Sequence, residues 1–141
     1  GVSYVKPHGA LYNDMRRDEN IFKAILNAIS SFDKNIKLMI LSSAKNEAYE
    51  YTAKLYSINL IYEVFADRNY NDDGSLVSRM HENAVIHDEL EVVSRIVNLK
   101  EKRFLYSING QKLFLKTDTI CVHGDNEKAL EFIKLLRKAL Y

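Results

Sequence analysis

Three short polar segments follow apolar runs, and their residue types are suited to acid–base chemistry and to the stabilisation of negative charge. The segments are KPHG at residues 6–9, ADR at residues 66–68 and HGD at residues 123–125. In parallel α/β proteins the ligand site forms at the carboxyl ends of the strands. We therefore expect the three segments to line one cleft.

Side chains alternate along a strand, so every second residue of each run shares a face. A histidine at such a position can act as a general acid or base or bind a metal, and an ordinary role in a turn is the alternative. No HExxH or CxxC spacing is present, which leaves any metal set unknown. Together with Arg68, the candidate catalytic residues selected in this way are Lys6, His8, Glu63, Asp67, His123 and Asp125.

Glu63 lies inside an apolar run at residues 60–65, where an unpaired buried carboxylate would be strongly destabilising. We expect Glu63 to have a cationic partner in the site, either Lys6 or Arg68. Two alternatives are a solvent-facing position on an edge strand and an architectural ion pair with a lysine. The sequence alone leaves the three open.

The elements that must position these residues alternate between strand and helix, and a β-hairpin is predicted near residues 104–116 around Asn109-Gly110. Such alternation predicts an α/β fold with mostly parallel strands, either doubly wound or part of a (β/α) barrel. A closed barrel needs roughly 250 residues, so this chain would supply about half of one. The predicted strands of the sheet are residues 3–5, 37–41, 60–65 and 119–122.

Four helices are predicted from three-four spacing of apolar residues and from capping residues at their starts. Asp18 caps the first, Ser43 precedes the second, Asp88 with Glu91 starts the third, and Asp125 or Asn126 caps the last. Residues 69–87 form a long polar connection with a turn at residues 73–74. The residues expected to share helix faces are Ile21, Phe22, Ile25, Leu26, Ile29 and Phe32; Ala44, Ala48, Tyr51 and Leu55; Val92, Val93, Ile96 and Val97; and Ala129, Leu130, Ile133, Leu136 and Leu140.

Composition excludes several classes of protein. The chain has 141 residues and a formal net charge of +1, which argues against nucleic acid or an anionic membrane as a partner. A single cysteine, Cys121, closes no intrachain disulfide, so a reducing compartment, the cytoplasm, is expected. No apolar run has the length of a transmembrane helix, and no internal repeat or linker divides the chain. One domain spanning residues 1–141 is predicted.

Three long motifs in the same order closely resemble the LamB/YcsF family. They are VKPHGALYN at residues 5–13, EVFADR at residues 63–68 followed by Tyr70 and GSLVSR at residues 74–79, and CVHGD at residues 121–125. The family's N-terminal motifs, which resemble DLNADLGE, CGFHAGD and an HPS-type element, are absent. The resemblance is therefore to the C-terminal portion of the family.

The resemblance implies a partial (β/α) barrel of the glycoside hydrolase/deacetylase type, with the site at the strand ends. It also implies the activity of the A subunit of an ATP-dependent 5-oxoprolinase, which opens the 5-oxoproline lactam to glutamate with two partner subunits and with ATP as co-substrate. In that role Lys6 and Arg68 would offset negative charge. Asp67 and Glu63, with His8 or His123, would position and deprotonate water. Through the same motifs, the resemblance implies substrate-binding roles for Asn13, Tyr70, Arg79 and Gly124.

Two other functions stay open at this point. One is a non-catalytic remnant or assembly module that keeps surfaces for the partner subunits, and the other is a metal-dependent deacetylase-like hydrolase. The open sheet edges of half a barrel would need covering, so a homo-oligomer or a complementary chain is a candidate partner.

Overall fold

The computed structural model describes residues 1–123 and 128–141, which divide into two compact units. The first unit comprises Gly1–Leu41 and Lys45–Glu63, and the second comprises Ser42–Ala44 and Val64–Tyr141. The strand order in the main sheet is β1-β2-β3-β6, with β1 and β3 both parallel to β2. These strands are β1 (Tyr4–Val5), β2 (Lys37–Leu41), β3 (Leu60–Phe65) and β6 (Thr119–Cys121).

The first unit contains three helices, α1 (Ala10–Arg17), α2 (Glu19–Phe32) and α3 (Asn46–Leu55). Asp18 caps α2 as predicted, because its carboxylate accepts hydrogen bonds from the N–H groups of Asn20 and Ile21. The helix buries Phe22, Leu26 and Ile29, whereas Phe32 is 83% exposed. The prediction of a buried Phe32 was therefore wrong, since the helix ends there and the chain leaves the packed face.

Helix α3 packs through a different face from the one predicted. Tyr51 and Leu55 are 70% and 66% exposed, while Ala53 is buried. The Tyr49 ring meets Phe22 edge-on at 5.2 Å, and its hydroxyl donates to the carbonyl of Arg16. These contacts with α1 and α2 set the orientation of α3. They cannot be predicted from the spacing of apolar residues within α3.

In the second unit, the N–H of Ala66, directly after β3, donates to the Cys121 carbonyl on β6 at 2.9 Å. The connection that follows is held by hydrogen bonds, with isolated bridges between Arg68 and Val85 and between Tyr70 and Leu76. The predicted turn is present, and Gly74 adopts a φ of 81° that favours glycine.

Helix α4 (Glu89–Lys102) starts at Asp88, whose side chain accepts from the N–H groups of Leu90 and Glu91, as the capping pattern predicts. The predicted hairpin is also present as the antiparallel pair β4 (Phe104–Tyr106) and β5 (Lys112–Phe114). Gly110 has a φ of 84° in its turn, a conformation that glycine adopts without strain.

Helix α5 (Ala129–Leu140) buries Phe132 and Leu136. Leu130 and Ile133 are exposed, so the face predicted for this helix was partly wrong and is centred on Phe132 instead. The predicted cap at residues 125–126 lies outside the described residues. Within the described part of the chain, no helix is long and apolar enough to cross a membrane.

Candidate functional site

The carboxylate of Glu63 is the centre of a hydrogen-bonded cluster in the first unit. Glu63 is 3% exposed, and its Oε1 atom lies 2.7 Å from the Lys6 Nζ atom. Its Oε2 atom accepts a hydrogen bond of 2.7 Å from the Tyr12 hydroxyl. Each carboxylate oxygen therefore has a donor, which offsets the free-energy cost of burying the charge. Glu63 therefore has a cationic partner, Lys6, and the alternative of a solvent-facing Glu63 was wrong. The catalytic roles of both residues stay predictions, and the alternative of an architectural ion pair with a lysine stays open.

Lys6 is positioned by β1 and keeps contact with solvent. It follows Val5 directly, its side chain is 34% exposed, and its Nζ atom lies 5.2 Å from the centroid of the Tyr12 ring. A lysine held between a buried carboxylate and an aromatic face presents a localised positive charge at the surface of the first unit. Such a charge can attract a carboxylate or a phosphoryl group.

Tyr12 lies within the first family motif, but it was not selected from the sequence as a site residue. It belongs to α1, a helix that the sequence analysis did not predict, and it is buried with Met15. The spacing of three residues between Tyr12 and Met15 is the signal that indicates one helical face. Recognising that short helix would have placed the Tyr12 side chain on the packed side of α1.

A second cluster, in the second unit, joins Asp67 and His123. Asp67 is fully buried, and its Oδ1 atom lies 2.8 Å from His123 Nδ1. The backbone N–H of His123 donates to Oδ2 of the same carboxylate at 3.1 Å. The Phe65 ring lies 4.7 Å from the imidazole, centroid to centroid, with a tilt of 32°. The carboxylate thus binds both the backbone and the ring of His123.

This arrangement selects one tautomer of the imidazole. An ionised carboxylate has no proton to donate, so a neutral His123 carries its proton on Nδ1 and donates it to Asp67. The other ring nitrogen, Nε2, is then an acceptor. The His123 side chain is 18% exposed, so a pair of this kind is able to take a proton from a water molecule or a substrate group.

Arg68 and Tyr70 hold the chain that follows β3. The Arg68 guanidinium donates to the carbonyls of Val77 at 2.7 Å and Ala84 at 3.3 Å. The buried Tyr70 hydroxyl accepts a hydrogen bond of 2.9 Å from the N–H of Phe65. These contacts give both side chains a structural role, and the catalytic role of Arg68 and the substrate-binding role of Tyr70 stay predictions.

The other predicted site residues are exposed or undescribed. His8, Asn13 and Arg79 are all exposed, and their roles stay predictions. Gly124 and Asp125 lie outside the described residues. Among the residues that the structure describes, no group of three histidine, cysteine, aspartate or glutamate side chains could hold a metal ion.

A cavity of about 520 Å³ in the second unit contains none of the predicted site residues. Arg95 of α4, Asn98 and Tyr106 are among its lining residues. Arg95 is a buried cation that the sequence analysis missed, since an arginine on a helix is usually solvated. No feature of the α4 sequence distinguishes it from an exposed arginine.

The fold and the two clusters define an α/β protein with parallel strands and with acid–base residues near strand ends. The LamB/YcsF family model matches residues 1–141, and the chain belongs to that family. It is 44% identical over 140 residues to the A subunit of 5-oxoprolinase from Vibrio parahaemolyticus, covering 99% of this chain and 55% of the relative. It is 49% identical over 140 residues to the corresponding protein of Campylobacter jejuni, covering 99% of this chain and 53% of the relative.

The fold is also similar to the crystal structure of the lactam utilization protein from Thermus thermophilus. The TM-score is 0.85 at 28% sequence identity, over 99% of this chain and 54% of that protein. This likeness confirms the predicted fold class, an α/β partial barrel with mostly parallel strands. The chain spans about half the length of the curated relatives it matches.

Proposed function

We propose that this chain belongs to the A subunit of an ATP-dependent 5-oxoprolinase and supplies acid–base groups for opening the 5-oxoproline lactam. The observation that carries the proposal is the Asp67–His123 pair, in which a buried carboxylate fixes the imidazole with Nε2 as the proton acceptor. The similarity to proteins named as 5-oxoprolinase A subunits supports the choice of substrate.

The use of ATP has a chemical reason. An unstrained lactam is a poor electrophile, and transfer of a phosphoryl group from ATP to its carbonyl oxygen makes the ring carbon more reactive. Water then adds to that carbon, the C–N bond breaks, and the ring nitrogen takes a proton. A second water releases the phosphate, so that the products are glutamate, ADP and inorganic phosphate.

In this proposal His123 accepts a proton from the attacking water, and Asp67 stabilises the imidazolium that forms. The charge-offsetting role of Lys6, whose ammonium group is partly exposed in the first unit, stays a prediction. Two partner subunits complete the enzyme. A cytoplasmic location is part of the proposal, because ATP is available there and a cysteine outside any disulfide, Cys121, is compatible with a reducing compartment.

Reconstitution tests the proposal. The full-length protein is combined with its two partner subunits, and glutamate formation from 5-oxoproline is measured with and without ATP. We expect ATP-dependent turnover that falls by about 10²-fold or more in His123→Gln. His81→Gln is the matched control, because the His81 ring lies in an exposed turn, where it accepts a hydrogen bond from the N–H of Asn83.

Two results would contradict the proposal. Full turnover in His123→Gln would remove His123 from the reaction. Absence of turnover in the complete wild-type assembly would favour the non-catalytic module.

A further inference from the structure

We propose that Arg95 is a positioning residue that orients the Asp67–His123 pair through the backbone of residues 68–69. The inference rests on the proposed function, in which this pair handles the proton. It adds a residue on α4, outside all three sequence motifs, to the machinery of the site.

The Arg95 guanidinium binds the chain just beyond Asp67. One of its nitrogens donates a hydrogen bond to the carbonyl of Arg68, and another donates to the Asn69 side-chain oxygen at 3.1 Å. The guanidinium carbon lies 5.7 Å from the centroid of the Tyr70 ring. Three consecutive residues after Asp67 are therefore held by one side chain.

Asp67 also has a backbone contact of its own, because its carbonyl accepts a hydrogen bond of 2.8 Å from the N–H of Ile86. Two residues earlier, the N–H of Phe65 donates to the Tyr70 side-chain hydroxyl. Arg95 supplies the contact to the next peptide along, between residues 68 and 69, because the Arg68 carbonyl accepts a hydrogen bond from its guanidinium. A rotation of the backbone at Arg68 would move the Asp67 side chain relative to the His123 imidazole.

Burying the Arg95 guanidinium costs free energy of desolvation, which argues that this side chain has a role besides packing. Desolvation lowers the pKa of Arg95, while Tyr70, Glu91 and Asp67 act in the opposite direction. In the part of the chain that the structure describes, no carboxylate forms a hydrogen bond with it; its acceptors are a carbonyl and an amide oxygen. Hydrophobic replacement of buried charges is often neutral or stabilising. The guanidinium has two donor nitrogens in a fixed fork, and they match the Arg68 carbonyl and the Asn69 side-chain oxygen. A lysine side chain lacks this fork.

The experiment compares Arg95→Met and Arg95→Lys with Leu99→Ala in the full-length protein. Leu99 is buried on the same helix, so its truncation destabilises the protein without removing a hydrogen bond to residues 68–69. The readouts are the nitrogen chemical shifts of the His123 imidazole, which report the tautomer, and kcat and KM in the reconstituted assembly.

We expect Arg95→Met to give a mixture of His123 tautomers and a fall in kcat of about tenfold or more, with KM changed less than about threefold. Arg95→Lys should retain part of the wild-type behaviour in both readouts, because it keeps the charge and has donor N–H groups on a single nitrogen. Leu99→Ala should leave the imidazole spectrum unchanged in the folded protein.

A folded Arg95→Met protein with the wild-type imidazole spectrum and kcat would overturn the inference. If Arg95→Met does not fold, Arg95→Lys decides: an unchanged spectrum and an unchanged kcat would then count against positioning. If Arg95→Met shifts the tautomer while His123→Gln keeps full turnover, positioning stands and the proposed function fails. The two failures are thus distinguishable.

Discussion

Asp67 binds His123 twice, through the ring atom Nδ1 at 2.8 Å and through the backbone N–H at 3.1 Å. The two residues are 56 positions apart in the sequence. One contact orients the imidazole and the other fixes the backbone that carries it, so the carboxylate controls both the tautomer and the position of the ring.

Asp67→Asn should lower turnover while preserving the fold. The amide keeps the shape of the carboxylate but can present an N–H to His123 Nδ1, which favours the tautomer with Nε2 protonated and removes the proton acceptor. We expect kcat to fall by about 10²- to 10⁴-fold in the reconstituted full-length assembly. Asp33→Asn, an exposed cap at the end of α2, is the control. Unchanged turnover in Asp67→Asn would exclude this role.

Tyr12→Phe should destabilise the protein by about 1–3 kcal/mol, because it leaves the buried Oε2 atom of Glu63 without its hydroxyl donor. Urea unfolding of the full-length protein measures the effect. Tyr51→Phe removes an exposed hydroxyl on α3 and should change the free energy of unfolding by less than about 0.5 kcal/mol. Equal effects of the two substitutions would show that the Tyr12 hydrogen bond contributes no stability.

Lys6→Met should destabilise the protein because it leaves the Glu63 charge buried with only the Tyr12 donor. Breaking a fully buried pair costs about 3–5 kcal/mol, and the partial exposure of Lys6 reduces the expected loss to about 1–3 kcal/mol. Adding Glu63→Gln to Lys6→Met should recover part of the loss, since the unpaired charge is removed.

The exposed pair Lys23–Glu19 on α2 provides the control for Lys6. Lys23→Met should change the free energy of unfolding far less than Lys6→Met does, because solvent screens that pair. If the double variant changes the free energy of unfolding by the sum of the changes in Lys6→Met and Glu63→Gln alone, the two side chains are not coupled.

Glu89 and Glu131 predict a pH dependence of stability in the second unit. A hydrogen bond with the Glu131 carboxyl raises the pKa of Glu89, with smaller contributions from desolvation, from the Glu131 charge and from Asp88, while Lys128 lowers it. When the pKa of a carboxyl group is higher in the folded state than in the unfolded state, its protonation stabilises the folded protein at low pH. This stabilisation is lost as the pH rises through the folded-state pKa.

Glu131→Gln should therefore stabilise the protein more near pH 7 than near pH 4. These two pH values lie roughly either side of an ordinary glutamate pKa. Urea unfolding at the two pH values measures the difference. Glu101→Gln on an exposed part of α4 is the control and should show no comparable difference. A Glu131→Gln effect of equal size at both pH values would contradict the prediction.

Local sequence determined most of the elements. The caps at Asp18 and Asp88 act within three residues of themselves, and the hairpin turn depends on Gly110 alone to adopt a positive φ, so each is encoded where it occurs. The periodicity of apolar residues and the residue types at turns likewise predicted β2, β3 and α4. The need of Glu63 for a partner followed from burying a charge in an apolar run.

Only the tertiary structure decided which groups meet. Lys6 and Tyr12 contact Glu63 across 57 and 51 positions, and nothing local to Glu63 distinguishes Lys6 from Arg68 as its partner. The faces of α3 and α5 were mistaken for the same reason: spacing predicts that residues share a face, but the neighbouring elements decide which face is covered. Arg95 became recognisable as a positioning residue only because folding brings its guanidinium to the Arg68 carbonyl, 27 positions away.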